Sequence, residues 1–244
     1  MNDNLKVRDI SSSKRPQWRV YAELMTGQSS IYSLLKYELI VALIGAIPGA
    51  LGLALRKLLY PRVIGTVGNR AAFGKNVVIR HGSKVKIGDN VIIDDNCVLD
   101  AKGGADSCIS IGDNVFVGRN TVIHCKGGVV EIGDNVNIGI NCDIYSKNKV
   151  VIGSNSMVAA YCYIMSGGQY DHQSSIPFSD QSSFSRGETT VGEGCWIGAK
   201  VIIQDSVSVG PDSVIGAGAV VTKDIPGKCV AVGTPARVIS QRSI

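Results

Sequence analysis

Ile111-Gly112-Asp113-Asn114-Val115-Phe116-Val117-Gly118-Arg119-Asn120-Thr121-Val122-Ile123-His124 places an aliphatic residue at every sixth position, at Ile111, Val117 and Ile123. The same spacing runs outward in both directions. Val67, Phe73 and Ile79 form one set, and Ile87, Ile93 and Leu99 the next. Beyond the quoted stretch follow Ile132, Ile138, Ile144, then Ile152, Val158, Ile164, then Val191, Ile197, Ile203, and Val209, Ile215, Val221. Four residues after each aliphatic lies a second, small or branched register, which includes Ala71, Val77, Cys97, Thr121, Cys142, Cys162, Cys195, Ser213 and Ala219. A period of six fits neither the 3.6 of a helix nor the simple alternation of a long strand. It fits a prism wound from short strands, three to a turn, with one large and one small inward side chain per face. Stacked turns bury a continuous column and satisfy one another's backbone groups. The predicted fold is therefore an all-β parallel helix of hexapeptide repeats.

Composition agrees. The chain of 244 residues holds 29 Gly and only 6% aromatics, which suits many tight turns around a core of branched side chains. The net charge of +5 is modest and forms no basic stripe, which argues against nucleic acid and fits small phosphate-bearing ligands or an anionic surface. Seven Cys occur without a CxxC pair, mostly at repeat positions, and read as reduced, buried, small side chains of a cytoplasmic protein. The first 30 residues lack an apolar core ahead of a small-residue cleavage site, so no signal peptide is expected.

The repeat divides the chain. Residues 1–28 are polar and receive no structural assignment. Residues 29–64 form an apolar, helical arm, and the run Leu39–Leu55 carries no charge. Pro48-Gly49 should break it. It is marginal for crossing a bilayer and suits two short helices. These lie at the inner face of the membrane or pack against the end of the solenoid, whose strand edges need a cover. Residues 65–240 form the β-helix, interrupted by a protruding loop at 165–190. A loop of that length within a compact domain is usually functional.

Cys195-Trp196-Ile197-Gly198-Ala199, then Ile215-Gly216-Ala217-Gly218-Ala219, Thr222-Lys223-Asp224-Ile225-Pro226 and Gly233-Thr234-Pro235-Ala236-Arg237 resemble the C-terminal motifs of hexapeptide-repeat acyltransferases. The branch they resemble is the sugar and polysaccharide or lipopolysaccharide O-acetyltransferases. The resemblance implies a left-handed β-helix, a homotrimer with sites between prisms, acetyl-CoA as co-substrate and no metal. It also implies a His that deprotonates the acceptor hydroxyl. His172, beside Asp171 in the long loop, is the candidate base. Counted from Ile164, however, the family's His would fall nearer Gln169, which can hold a hydroxyl but cannot take its proton. Asn141 is a candidate for orienting the base or acceptor. His124 and His81 read as corner residues of the solenoid. For the cofactor, Lys223 and Arg237 suit phosphate charge. Gly198, Ala199, Gly216 and Ala217 would open backbone amides to the pantetheine arm, and Trp196 and Pro235 would supply apolar walls.

Competing readings are an N-acetyltransferase of an amino sugar and a non-catalytic β-helix scaffold. A metal-dependent hydratase on this fold needs three converging His, which the spacing of His81, His124 and His172 argues against. A nucleotide-sugar pyrophosphorylase needs a large N-terminal domain for which the chain has no room.

Overall fold

The computed structural model describes residues 15–243. Residues 17–59 form three helices: α1 (Gln17–Thr26), α2 (Ile31–Ile44) and α3 (Gly49–Leu59). A parallel β-solenoid follows, with three sheets of seven, nine and seven strands. The first sheet runs from β1 (Thr66–Val67) to β19 (Ser208–Val209). The second runs from β2 (Ala72–Phe73) to β22 (Cys229–Val232), closed by an antiparallel β23 (Arg237–Gln241). The third runs from β3 (Val78–Arg80) to β21 (Val220–Val221). Each strand pairs with its equivalent one coil later. The step is shortest where Val214 meets Val230 and longest where Val151 meets Thr190, because the loop intervenes there.

The six-residue register is the core. Ile93, Val117, Ile138, Ile197 and Ile215 stack along the second sheet, and Leu99, Ile123, Ile144, Ile164 and Ile203 along the third, all fully buried. Each such side chain contributes about 1.5–3 kcal/mol on burial. The second register lies inside the corners, and its chemistry is more specific than size. Thr121 donates its hydroxyl to the Gly139 carbonyl at 2.9 Å, and Ser156 to Gly192 at 2.9 Å. Cys97 donates to Gly118 at 3.2 Å, Cys142 to Ala159 at 3.1 Å and Cys162 to Gly198 at 3.1 Å. The thiols act as weak hydroxyl substitutes that satisfy carbonyls turned into the prism. All seven cysteines are free, six of them buried. Burial pushes the Cys97 thiol up to about 11 and that of Cys125 to about 12.

Outside the corners run two Asn ladders. Asn90, Asn114, Asn135 and Asn155 pass amide hydrogen bonds upward at 3.0–3.1 Å, ending on Glu193. Asn76, Asn96, Asn120 and Asn141 do the same at the next corner. Every one of these residues has φ near +55 to +61, a conformation that Asn tolerates better than other side chains.

The helices cap the first coil. Helix α2 ends before Pro48-Gly49, where the break was expected, and α3 begins at Gly49. Tyr60 and Phe73 join cap to coil, their ring centroids 5.3 Å apart. The arm begins earlier than the sequence indicated. Pro16 precedes α1 and Gly27 (φ 76) ends it, a start-and-stop pair legible in the sequence. Arg56 is 2% exposed. Its Nε donates to the Phe73 carbonyl, and its Nη1 to those of Ile44 and Ile47, at 2.7–3.1 Å. It stitches the end of α2 to the solenoid and presents no charge to a surface.

Candidate functional site

Three of the four C-terminal motifs, all but residues 222–226, converge on one corner of the prism, between the second and third sheets. Ala159-Ala160, Gly198-Ala199 and Gly216-Ala217-Gly218 occupy this corner in successive coils. A Cβ on Gly198 would lie 2.6 Å from the Ala217 nitrogen, so the fold itself requires that glycine. One coil further, Thr234 donates its hydroxyl to the Gly218 carbonyl at 3.3 Å, which sets Pro235 over the same corner. Near the bottom of the solenoid the outward corner amide of Lys75 is capped by the Asp95 carboxylate at 2.7 Å. At the top the equivalent positions are Ala160, Ala199 and Ala217, whose side chains cannot cap anything, and nothing lies within 4 Å of a Cβ built on Gly218. The result is a column of small residues with outward amides.

Trp196, 56% exposed, stands beside this corner on the second sheet, in register with the equally exposed Met157. Arg237 opens β23, pairs with Val232 and is exposed at the same end. The structure thus groups Trp196, Gly198, Ala199, Gly216, Ala217, Pro235 and Arg237. It does not bring Lys223 with them. Lys223 follows β21, at the far end of the third sheet.

The long loop leaves β15 (Tyr163–Ser166) and returns at β16 (Thr189–Val191). Its root is closed by two backbone hydrogen bonds between Gln169 and Phe184, at 3.0 and 2.8 Å. The buried Asp205 fastens the returning strand, accepting from the Ser185 hydroxyl at 2.7 Å and the Arg186 amide at 2.8 Å. Gln181 bridges the loop's two limbs through Asp171. His172 is exposed at the outer part of the loop. The Asp171 carboxylate accepts the Gln173 amide at 2.9 Å, a local turn, and so is engaged by backbone.

Sequence reasoning read His124 as a corner residue; the structure pairs it with Asp143 on the third sheet. The His124 Nε2 lies 2.9 Å from the Asp143 Oδ1, and the His124 ring packs on Tyr145 with centroids 4.9 Å apart. In the parallel register His124 lies opposite Tyr145, and Tyr145 opposite Met165, which leads into the loop. Tyr163 adjoins Asp143, and burial raises its phenol above the ordinary range. Tyr145 is likewise raised by burial, although a hydrogen bond with Ser183 of the loop opposes this. The face bearing His124 and Asp143 is therefore flanked by the amide column at one edge and by the loop at the other. Asn141 sits at the first of those edges, on the ladder through Asn120. His124 lies opposite Tyr145, 21 residues on, and reaches Asp143 diagonally two residues before it, so the pairing becomes visible only once the coil length is known.

Comparison with known proteins follows this geometry. A family model described as the bacterial transferase hexapeptide (six repeats) matches residues 188–223. One described as the hexapeptide repeat of succinyl-transferase matches residues 66–101, 108–130 and 129–166. The galactoside O-acetyltransferase of Escherichia coli (strain K12) is 40% identical over 92 residues, 38% of this chain and 44% of that protein. The chloramphenicol acetyltransferase of Klebsiella aerogenes is 33% identical over 110 residues, 39% of this chain and 52% of that protein. The chain thus spans about half the length of the curated relatives it matches. The fold is shared with AntD, an N-acyltransferase from Bacillus cereus solved with dTDP and 3-hydroxybutyryl-CoA. The TM-score is 0.54 at 18% identity, covering 77% of this chain and 88% of that one.

Proposed function

The chain belongs to the hexapeptide-repeat acyltransferase family, and on that premise we propose that it is an acyl-CoA-dependent O-acyltransferase. The acyl group is acetyl and the acceptor a hydroxyl of a sugar or of a polysaccharide or lipopolysaccharide precursor. The observation that carries this reading is the column of small residues with outward amides at Ala160, Ala199 and Ala217, beside exposed Trp196. A pantetheine arm is an extended chain of amides, and such a column suits it. Arg237 is placed for phosphate at the same end. Lys223, which follows β21 away from this corner, would have to serve the groove of a neighbouring prism, as in the homotrimer we propose, whose sites lie between chains.

The reaction needs a base, an oxyanion donor and a leaving thiol. A hydroxyl gives its proton to a neutral imidazole as its oxygen attacks the thioester carbonyl. Backbone N–H groups stabilise the tetrahedral oxyanion. Collapse breaks the C–S bond, leaving an acetyl ester, and the thiolate takes up the proton. Two imidazoles are candidates for the base. His124 is supported by its carboxylate partner: Asp143 orients the ring and stabilises the imidazolium as the proton arrives. His172 is supported by its loop, which contacts the same face through Ser183 and Tyr145. Gln169, at the loop's root, and Asn141, at the face's edge, would hold the acceptor in this reading. Titration calorimetry with coenzyme A tests the cofactor half of the reading. The wild type should bind, and Ala217→Glu, which puts a carboxylate into the column, should not. Absence of binding by the wild type would defeat the reading.

A further inference from the structure

Helix α2 buries one face and leaves the other bare. Leu34, Tyr37, Ile40 and Ile44 pack inward, whereas Leu35, Leu39 and Leu43 are each 61% exposed and Tyr32 is 75% exposed. At about 100° per residue these four, with Ile31 and Ala42, fall within an arc of roughly 120°. Leu51 and Leu58 of α3 extend the apolar surface. No acid lies on it. Glu38, the one acid of these two helices, is turned to the Tyr21 hydroxyl at 2.6 Å.

The rim has the opposite character. Lys36, next to Leu35, Lys57, in the last turn of α3, and Arg62, after α3, are exposed. Neither Lys36 nor Arg62 forms an ion pair with a described residue. Both line a cleft of about 200 Å³ between the α1–α2 turn and the first coil, together with Gln28, Tyr32, Ser33 and Ser83. Two cations with hydroxyl and amide groups make a phosphate-binding chemistry. Tyr32 belongs to both features, so the cleft opens beside the apolar stripe.

We propose that this end of the molecule docks on an anionic lipid bilayer, with α2 and α3 lying in the interface and a phosphodiester headgroup in the Lys36–Arg62 cleft. An acid-free apolar face with cations confined to its rim matches the two layers of such a surface: acyl chains beneath, phosphates above. A second copy of the chain would bring like-charged rims together. No described helix is long and apolar enough to cross a membrane, so the contact is peripheral. The inference does not rest on acyl transfer.

The test is flotation of the full chain with vesicles of phosphatidylcholine alone, and with vesicles of equal parts phosphatidylcholine and phosphatidylglycerol. The wild type should float with the anionic vesicles and far less with the neutral ones. Lys36→Gln and Arg62→Gln should each weaken partitioning roughly fivefold, and added salt should erase that difference. A triple variant, Leu35→Glu, Leu39→Glu and Leu43→Glu, should stay in solution with an unchanged melting curve, because these side chains are exposed. Equal binding to both vesicle types, or no flotation by the wild type, would overturn the proposal. So would a triple variant that floats normally. If the triple change instead split a larger assembly of a wild type that never floats, the occupant would be a second copy.

Discussion

The His124 Nε2 sits 2.9 Å from the Asp143 Oδ1, one coil away on the outer face of the third sheet. A carboxylate on one ring nitrogen leaves the other to meet a substrate, and the pair lies between the amide column and the loop. His124→Gln should therefore lower kcat by about 10²–10⁴-fold, the usual worth of a positioned base. Asp143→Asn should lower kcat with little change in KM, since it acts on the imidazolium formed during transfer. Should His172→Ala be the inactive variant and His124→Gln retain wild-type kcat, the loop histidine is the base.

Arg237→Ala should raise the acetyl-CoA KM more than it lowers kcat, because phosphates are held alike in ground and transition states. Loss of one charge-assisted contact should cost about 1.5–3 kcal/mol. Steady-state kinetics at saturating acceptor checks this, and unchanged kinetics would remove Arg237 from the site.

The hexapeptide spacing disclosed the prism, its core register and the loop, because period six fits neither a helix nor a long alternating strand. Pro48-Gly49 disclosed the helix break. Three things depended on the coil length, which varies along the chain and cannot be read from the repeat alone. The Asn ladders, the His124–Asp143 pair and the grouping of Ala199 and Ala217 with Pro235 all join residues one coil apart. The role of Arg56 was not legible for a different reason. A charge after an apolar run looks like a rim residue, and only the carbonyls of Ile44, Ile47 and Phe73 reveal that it faces inward.

Arg56→Leu should destabilise the arm, since it takes the guanidinium from three carbonyls inside the cap, of which, among the described residues, Ile44 alone keeps a backbone donor, the Ile47 amide. The cost should be on the order of 3 kcal/mol. Hydrogen exchange should show faster exchange in α2 and α3 and unchanged protection in the solenoid above. Uniform protection would mean that the cap does not depend on this side chain.

His81 predicts a pH dependence of stability. It is 2% exposed, neither ring nitrogen has a hydrogen-bond partner among the described residues, and Gly27 lies against the ring. Burial lowers its pKa, which Lys84 and Lys102 reinforce and Asp100 opposes. The unfolded chain therefore takes up this proton first. Stability should be full above the unfolded value of about 6.5 and should fall as the pH drops below it, levelling off once the folded state is also protonated. Urea midpoints measured across that range should show the slope in the wild type and lose it in His81→Gln. An identical slope in both proteins would place the dependence elsewhere.

Acyl transfer itself is tested most directly by incubating the full chain with acetyl-CoA and a panel of hydroxyl and amino acceptors, galactosides among them. Free thiol and acetylated product are then measured together. Thiol release should depend on acceptor and be matched one for one by an acetyl ester that hydroxylamine cleaves. A hydroxylamine-resistant amide as the sole product would contradict O-transfer, and no acceptor-dependent thiol release from any member of the panel would contradict the central claim.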